Sequence, residues 1–266
     1  MTLKLFAGIA IILTIISACG PSQPELAVKK IAVAEELLAK GDTTNALLNL
    51  DSIPKLFPEA HTEAKSGLHI SNRIYSSKLV KQRENLAAAK IVIDSLINEF
   101  NPEKGEFEKY TNYIHNRLGV DKNWSRSFLQ VILNEKGDLS LLSNYRGGQW
   151  INHTSISVEG DGIAAKTNSV SPDHVNNHQS EFNGSKWEKV TYQGPQADQV
   201  IALIAANVDK KLKSKFVGKP TYAILLEESD KKAIKSTYEL SKAFKVKVAS
   251  EKLISYLEKK IKPEDK

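Results

Sequence analysis

The stretch SFLQVILNEKGDLSLLSNY, residues 127–145, marks the point at which the sequence changes from helical to strand-like patterns. Two largely apolar runs, residues 127–133 and 139–145, are separated by a short polar segment that contains Gly137. A glycine in such a segment supplies the positive φ that a β-hairpin loop needs. The stretch therefore predicts an antiparallel hairpin and the start of a C-terminal α+β domain over residues 127–266.

Downstream of this hairpin, further strand-like runs alternate with turn residues. Asn183-Gly184 predicts a tight turn between two strands, of which the second runs to Tyr192. The remaining expected elements are strands at 151–158, 163–166 and 221–226, a polar loop at 168–179, and helices at 195–216, 229–244 and 246–261. A meander of strands closed by helices is typical of the α+β class.

Upstream of the hairpin, apolar residues recur at helical spacing. This spacing predicts helices at 26–40, 43–57, 64–81, 86–100 and 103–118. Polar residues 82–85 interrupt the third run, and Asn101-Pro102-Glu103 is a typical helix start. The pattern predicts a helical domain over residues 26–119 and a linker over residues 120–126.

The first two predicted helices carry a repeat-like pattern. Gly41, Ala46, Leu50, Ile53 and Pro58 lie at the offsets at which a 34-residue helical repeat places its small and apolar residues. The hairpin over about residues 26–59 therefore resembles one tetratricopeptide repeat (TPR). The resemblance implies a TPR-like region in which paired helices present a concave face to peptides or helices of other proteins.

The N-terminus has the order of a secretory signal: one charge at Lys4, then an apolar run, then small residues before Cys19. The apolar run is shorter than the roughly 20 residues that a membrane-spanning helix needs. The sequence Ile16-Ser17-Ala18-Cys19 resembles the lipobox of bacterial lipoproteins. The resemblance implies that residues 1–18 are a signal peptide cut off before Cys19.

The same resemblance implies that Cys19 carries acyl chains and that residues 19–25 form a short tether. Cys19 is the only cysteine in the chain, so a disulfide within the chain is excluded. Several acyl chains hold a protein on a bilayer far more firmly than one. Gly20 after the cysteine is typical of sorting to an outer membrane, so a lipid-anchored position in the bacterial cell envelope is expected, with the outer membrane favoured.

The overall composition is that of a folded protein, with 41% hydrophobic and 26% charged residues and a formal net charge of +6. Lysines outnumber acidic residues in residues 207–266, where they fall on predicted exposed helix faces. Because arginine is absent there and aromatic residues are not closely interleaved with the lysines, nucleic acid is not an expected partner. A solvated helix face and a weak attraction to an anionic membrane both remain open.

One loop has the composition of a binding site. Arg146, Gly147, Gly148 and Trp150 combine a flexible backbone, a fixed cation and a large ring. Two interpretations remain open, namely a ligand-binding loop and an ordinary hairpin turn.

Signals for catalysis or cofactors are weak. The sequence contains no phosphate-binding loop, no dinucleotide fingerprint and no nucleophile elbow, so no cofactor is expected. A metal site and an exposed polar loop are the two interpretations of one group of residues: His153, Asp161, Asp173, His174 and His178.

The sequence thus predicts a membrane-anchored envelope lipoprotein that is a non-catalytic adaptor or scaffold for another envelope protein. The alternative is an envelope ligand-binding protein, or a metal-assisted enzyme, that uses the loops of the C-terminal domain.

Overall fold

The computed structural model describes residues 20–263. The predicted signal peptide and Cys19 lie outside these residues. Two compact units emerge: a helical unit, formed by the described residues up to Lys78 together with those from Leu257, and a sheet unit, Leu79–Tyr256. The sheet unit includes the predicted linker 120–126. The mixed α+β class is confirmed, with a long helical region first and antiparallel sheets after it.

The helical unit begins with a hairpin of α1 (Gln23–Ala39) and α2 (Thr43–Leu56), as predicted. Gly41 takes a left-handed backbone conformation (φ 79°) in the turn. The Asp42 side chain accepts a hydrogen bond from the Asn45 backbone N–H at 3.1 Å, which caps α2. The core of this unit consists of small and aliphatic side chains: Ala27, Ala34, Ala46, Leu50, Ile53, Ala60 and Ile70.

The third helix, α3 (His61–Leu96), is continuous over 36 residues. The prediction of two helices interrupted at residues 82–85 is therefore wrong. Gln82, Arg83, Glu84 and Asn85 contain no glycine or proline, so they break the apolar pattern without breaking the backbone. The same error affects the C-terminus, where one helix, Glu228–Lys260, replaces the two predicted helices.

Residues 103–118 were predicted as a helix, and this prediction is wrong. A 3₁₀ turn (Ile97–Glu99) leads into β1 (Phe100–Glu103), and β2 (Asn112–His115) pairs with it antiparallel. Ile114 lies opposite Ile132 of the next strand, so pairing with the sheet outweighs the local helical pattern. Phe107, which a helix would have buried, is 95% exposed.

The rest of the sheet unit contains short helices, strands and the long C-terminal helix. In chain order these are α4 (Val120–Asn123), β3 (Phe128–Asn134), β4 (Leu139–Gly147), β5 (Ser155–Gly160), β6 (Ile163–Lys166), β7 (Asn177–Phe182), β8 (Ser185–Tyr192), α5 (Pro195–Ala206), β9 (Lys213–Val217), β10 (Tyr222–Leu225) and α6 (Glu228–Lys260). The β3–β4 and β7–β8 hairpins were both predicted. The segment 213–216, predicted as the end of a helix, is instead strand β9, and β7 begins inside the predicted loop 168–179.

The strands form two antiparallel sheets. Sheet A has the order β1-β2-β3-β4-β8-β7, and sheet B has the order β10-β9-β5-β6. One hydrophobic core joins residues of both sheets with α5 and α6, and it includes Val131, Ile156, Ile204, Phe216 and Ile234. Among the described residues, no helix combines the length and apolar character needed to cross a membrane.

Candidate functional site

Arg146, the cation of the predicted binding loop, lies between two tryptophan rings. It is the cross-strand partner of Trp187, so both side chains lie on the same face of sheet A. The guanidinium carbon is 5.1 Å from the ring centre of Trp124 and 4.9 Å from that of Trp187. One guanidinium N–H donates to the Trp124 carbonyl at 3.0 Å. The cation is therefore held by two rings and a backbone acceptor.

The third tryptophan lies at the same end of sheet A. The Lys186 ammonium is 5.2 Å from the ring centre of Trp150, and Lys186 is the cross-strand partner of Gly147. Lys186 also forms an ion pair with Glu181. We call this region the aromatic–cationic end and define it as Trp124, Arg146, Trp150, Phe182, Lys186 and Trp187; it contains all three tryptophans of the chain.

The two glycines of the loop, Gly147 and Gly148, differ in the space available for a side chain. A Cβ atom on Gly147 would lie 2.0 Å from the hydroxyl oxygen of Tyr145, which donates a hydrogen bond to the Gln149 carbonyl at 2.9 Å. A Cβ atom on Gly148 would meet no atom within 4 Å. Gly147 is therefore needed for packing beneath the loop, whereas the backbone at Gly148 borders open space.

Beneath this loop lies a polar network that the sequence did not reveal. Both ring nitrogens of His153 form hydrogen bonds. Nδ1 lies 2.6 Å from a Glu188 carboxylate oxygen, and Nε2 lies 2.6 Å from the Ser143 hydroxyl oxygen. The Ser143 hydroxyl lies 3.2 Å from that of Tyr192. Ser143 lies on β4, His153 lies in the segment before β5, and Glu188 and Tyr192 both lie on β8, so no single motif spacing connects the four residues.

The Glu188 carboxylate is fully engaged. Oε1 accepts the backbone N–H groups of Ile151 and Asn152, at 2.7 and 2.8 Å. Oε2 accepts the His153 backbone N–H at 2.9 Å as well as contacting the His153 ring. Burial alone would raise the pKa of Glu188, but these hydrogen bonds outweigh it and hold the pKa below its ordinary value. Burial raises the pKa of Tyr192, so its phenol stays protonated.

The order hydroxyl, imidazole, carboxylate is that of a nucleophilic triad, yet this network is sealed. Ser143 and His153 have no exposed surface, and Glu188 is 1% exposed. A nucleophile must reach its substrate, so this arrangement cannot act on a bound molecule in the folded state. Its role is to fix residues 151–153, including Asn152 in its left-handed conformation, directly after Trp150.

The predicted metal-binding residues are not brought together. His153 lies in the sealed network, Asp161 in the β5–β6 turn, and His178 on exposed strand β7. Asp173 and His174 are exposed in the loop before β7, where the His174 ring accepts a hydrogen bond from the Asn176 backbone. Within residues 20–263, no three His, Cys, Asp or Glu side chains cluster in a way that could hold a metal ion.

A four-residue ion-pair network fixes the start of α6. Arg117 contacts both Glu227 and Asp230, and Arg126 contacts the same two carboxylates. The Asp230 side chain is only 4% exposed. The network ties the segment between β2 and β3 to the helix N-terminus, where negative charge is favourable, and we assign it a structural role.

An apolar groove runs between α3 and α6 within the sheet unit. It has a volume of about 630 Å³. The residues that line it come from one face of each helix, at spacings of three and four: Asn85, Ala88, Ala89 and Val92 on α3, with Glu239, Lys242, Ala243 and Val246 on α6. Val92 and Val246 are 40% and 43% exposed, so no other residue in the described range 20–263 covers the apolar edges of this groove.

No protein-family model, no curated protein and no solved structure matches this chain.

Proposed function

We propose that this protein is a lipid-anchored adaptor of the bacterial cell envelope, which binds a partner protein without catalysing a reaction. The observation that carries the proposal is the apolar groove between α3 and α6. The sealed state of Ser143 and His153 supports the absence of hydrolytic chemistry at that network. The lipobox-like sequence ending at Cys19 supports the anchor, and the α1–α2 hairpin supports a TPR-like helical region.

The shape of the groove favours a helix as its occupant. Ala89 and Ala243 are almost fully buried and form the floor, while Val92 and Val246 form exposed edges. Small residues on a floor let the backbone of a third helix approach to the 8–10 Å at which helices pack. An amphipathic helix with anchors at positions i, i+3 and i+7 would bury these side chains.

The charged residues beside the groove indicate which charge the partner helix carries. Residues 240–250 of α6 include three lysines and no acidic residue. Glu239 also lines the groove, and it forms an ion pair with Lys235 at 3.9 Å. Lys242 lines the groove, and Lys247 follows Ala243 by four residues, on the same side of the helix. We therefore propose an amphipathic partner helix whose flanks carry Asp or Glu, since opposite charges steer association and fix orientation.

Photo-crosslinking in cells tests the groove. A photoreactive amino acid placed at Ala88, which lines the groove and is exposed, is expected to give one discrete crosslinked partner. Val92→Asp or Val246→Asp is expected to reduce the crosslink at least about tenfold, because a charge would enter an apolar contact.

Val80→Asp is the matched control, since Val80 is 56% exposed on α3 and lies outside the groove lining. The crosslinked segment of the partner should map to an amphipathic helix with acidic flanks. A crosslink to a second copy of this chain, or one that all three variants leave unchanged, would contradict the proposed adaptor.

The anchor has a separate test. Cys19→Ser removes the only thiol in the chain, so incorporation of a labelled fatty acid is expected to fall to background. The variant should also leave the membrane fraction or accumulate as an uncut precursor. Fatty-acid labelling that persists in the variant would show that the acyl chains are not on Cys19.

A further inference from the structure

The aromatic–cationic end exposes large apolar side chains that the core does not use. Phe182 is 72% exposed and Trp124 is 58% exposed. Phe182 pairs with Ser185 across the tip of the β7–β8 hairpin, and Trp187 pairs with Ser180, so Phe182 and Trp187 lie on one face. Surface aromatic groups that cluster in this way mark an interaction site.

The hairpin turn does not require these rings. Asn183 and Gly184 both have positive φ, at 48° and 73°, which suits the two-residue turn between antiparallel strands. The turn is therefore satisfied by its own two residues. The Phe182 side chain, directly before the turn, is not needed for the turn conformation. It is therefore available to contact another molecule.

The cations at this end are only partly neutralised. The Arg146 guanidinium hydrogen-bonds to the Trp124 carbonyl and the Ser185 hydroxyl, and no carboxylate in the described part of the chain pairs with it. Lys189 is exposed and follows Trp187 by two residues, so it lies on the same face. It borders a pocket that Glu103, Glu108 and Asp121 also line. Glu181 pairs with Lys186, whereas neither Arg146 nor Lys189 forms an ion pair with a described carboxylate.

We infer that the aromatic–cationic end binds the surface of an anionic lipid bilayer. Phe182 and Trp124 would lie at the boundary between head groups and acyl chains, where the apolar Phe ring is buried and the Trp ring keeps its N–H near water. Arg146 and Lys189 would meet the lipid phosphates, since basic residues near an anionic leaflet strengthen binding. The inference depends neither on the groove nor on acylation of Cys19.

A bilayer fits this surface better than a sugar chain does. Sugars bind by stacking on flat ring faces, and Arg146 already covers one face each of Trp124 and Trp187. A bilayer requires only exposed apolar side chains and cations at one end of the domain, and both are present.

Intrinsic fluorescence tests the inference, because all three tryptophans lie at this end. A chain that begins at Gly20 contains every residue that the structure describes and lacks the proposed acyl anchor on Cys19. It is mixed with phosphatidylglycerol vesicles whose acyl chains carry bromine, which quenches only nearby rings. We expect quenching and a blue shift per bound protein in these vesicles. Brominated phosphatidylcholine vesicles should give neither, because they carry no net charge.

Variants assign the effect to individual residues. Phe182→Ser is expected to reduce the affinity for the anionic vesicles about tenfold, and Lys189→Gln about fivefold. Val175→Ser is the matched control: Val175 is 76% exposed but lies beyond the opposite end of β7, so quenching should not change.

Three results would overturn the inference. The first is an absence of quenching in both kinds of vesicle, and the second is equal quenching in Phe182→Ser and the unsubstituted protein. The third is a spectral shift with soluble glycerol phosphate but none with vesicles, which would assign the site to a free anion. None of these results bears on crosslinking at Ala88, so the adaptor proposal is tested separately.

Discussion

Replacing Glu188 with Gln is expected to lower the free energy of unfolding by about 3–5 kcal/mol, the usual loss when one member of a buried ionic network is removed. The Glu188 side chain accepts three backbone N–H groups and contacts the His153 ring. A glutamine amide of the same shape has one acceptor oxygen and one donor group. Its N–H₂ group would face backbone donors, which leaves buried polar groups unsatisfied.

The pH dependence of stability gives a second measurement of the same carboxylate. The pKa of Glu188 is lower in the folded protein than its ordinary value of about 4.3. Its stabilisation is therefore complete above that ordinary value and is lost as the pH falls through the lower pKa of the folded state. Urea unfolding at several acidic pH values should show this loss in the unsubstituted protein and a shallower dependence in Glu188→Gln.

Glu159→Gln is the control for Glu188. Glu159 forms an ion pair with Lys215, but its side chain is 38% exposed, so water replaces the lost contact. The expected cost is at most about 1 kcal/mol. If both variants unfolded within 1 kcal/mol of the unsubstituted protein, the hydrogen bonds to Glu188 would not hold the loop as described.

Replacing Gly218 with Ala is expected to cost about 3 kcal/mol or more, the upper range for overpacking a core. A Cβ atom at this position would lie 2.0 Å from the Ile151 carbonyl oxygen and 2.9 Å from the His153 backbone. These are backbone atoms, so no side-chain rotation relieves the contact. The Ile151 carbonyl also accepts the Lys219 N–H at 2.6 Å, and this bond would be displaced.

Gly148→Ala is the matched control for Gly218→Ala. A Cβ atom there meets nothing within 4 Å, and its φ is not in the left-handed region. The change should be neutral or slightly stabilising, because alanine restricts the unfolded chain. Thermal unfolding of both variants compares them directly, and equal melting temperatures would contradict the close approach of the chain at Gly218.

Elements with strong local signals were predictable from the sequence. Gly41 ends α1, and Asn183-Gly184 forms the β7–β8 turn, because a left-handed residue is needed at each position. The β3–β4 hairpin was predicted on the same basis around Gly137, where φ is 91°. Local backbone requirements leave a visible residue choice.

Elements that depend on distant partners were not predictable. The helical spacing of residues 103–118 was misleading because β2 is stabilised by pairing with β1 and β3, which a local pattern does not record. Similarly, Phe216 was assigned to a helix, whereas it lies in β9 opposite Ile156 of β5. Strand pairing outweighed local propensity in both cases.

The candidate site was predicted only in part. The composition of the Arg146 loop pointed to a cation beside Trp150, but the rings that hold Arg146 are Trp124 and Trp187, far from it in sequence. The glutamate at position 188 gave no signal, since its partners lie on a segment more than thirty residues earlier. Single-sequence patterns do not report contacts that only the sheet creates.

Sheet B has a consequence for how the chain acquires its structure. Its strands β5 and β6 are neighbours in sequence, but β5 also pairs with β9, which comes more than fifty residues later. In sheet A, β4 likewise pairs with the later strand β8. Neither sheet is complete until late strands are available, so loop-closure entropy must be overcome first. We expect refolding in milliseconds to seconds, as in other proteins rich in non-local strand pairs, and a chain that ends before β9 should remain unfolded in this region.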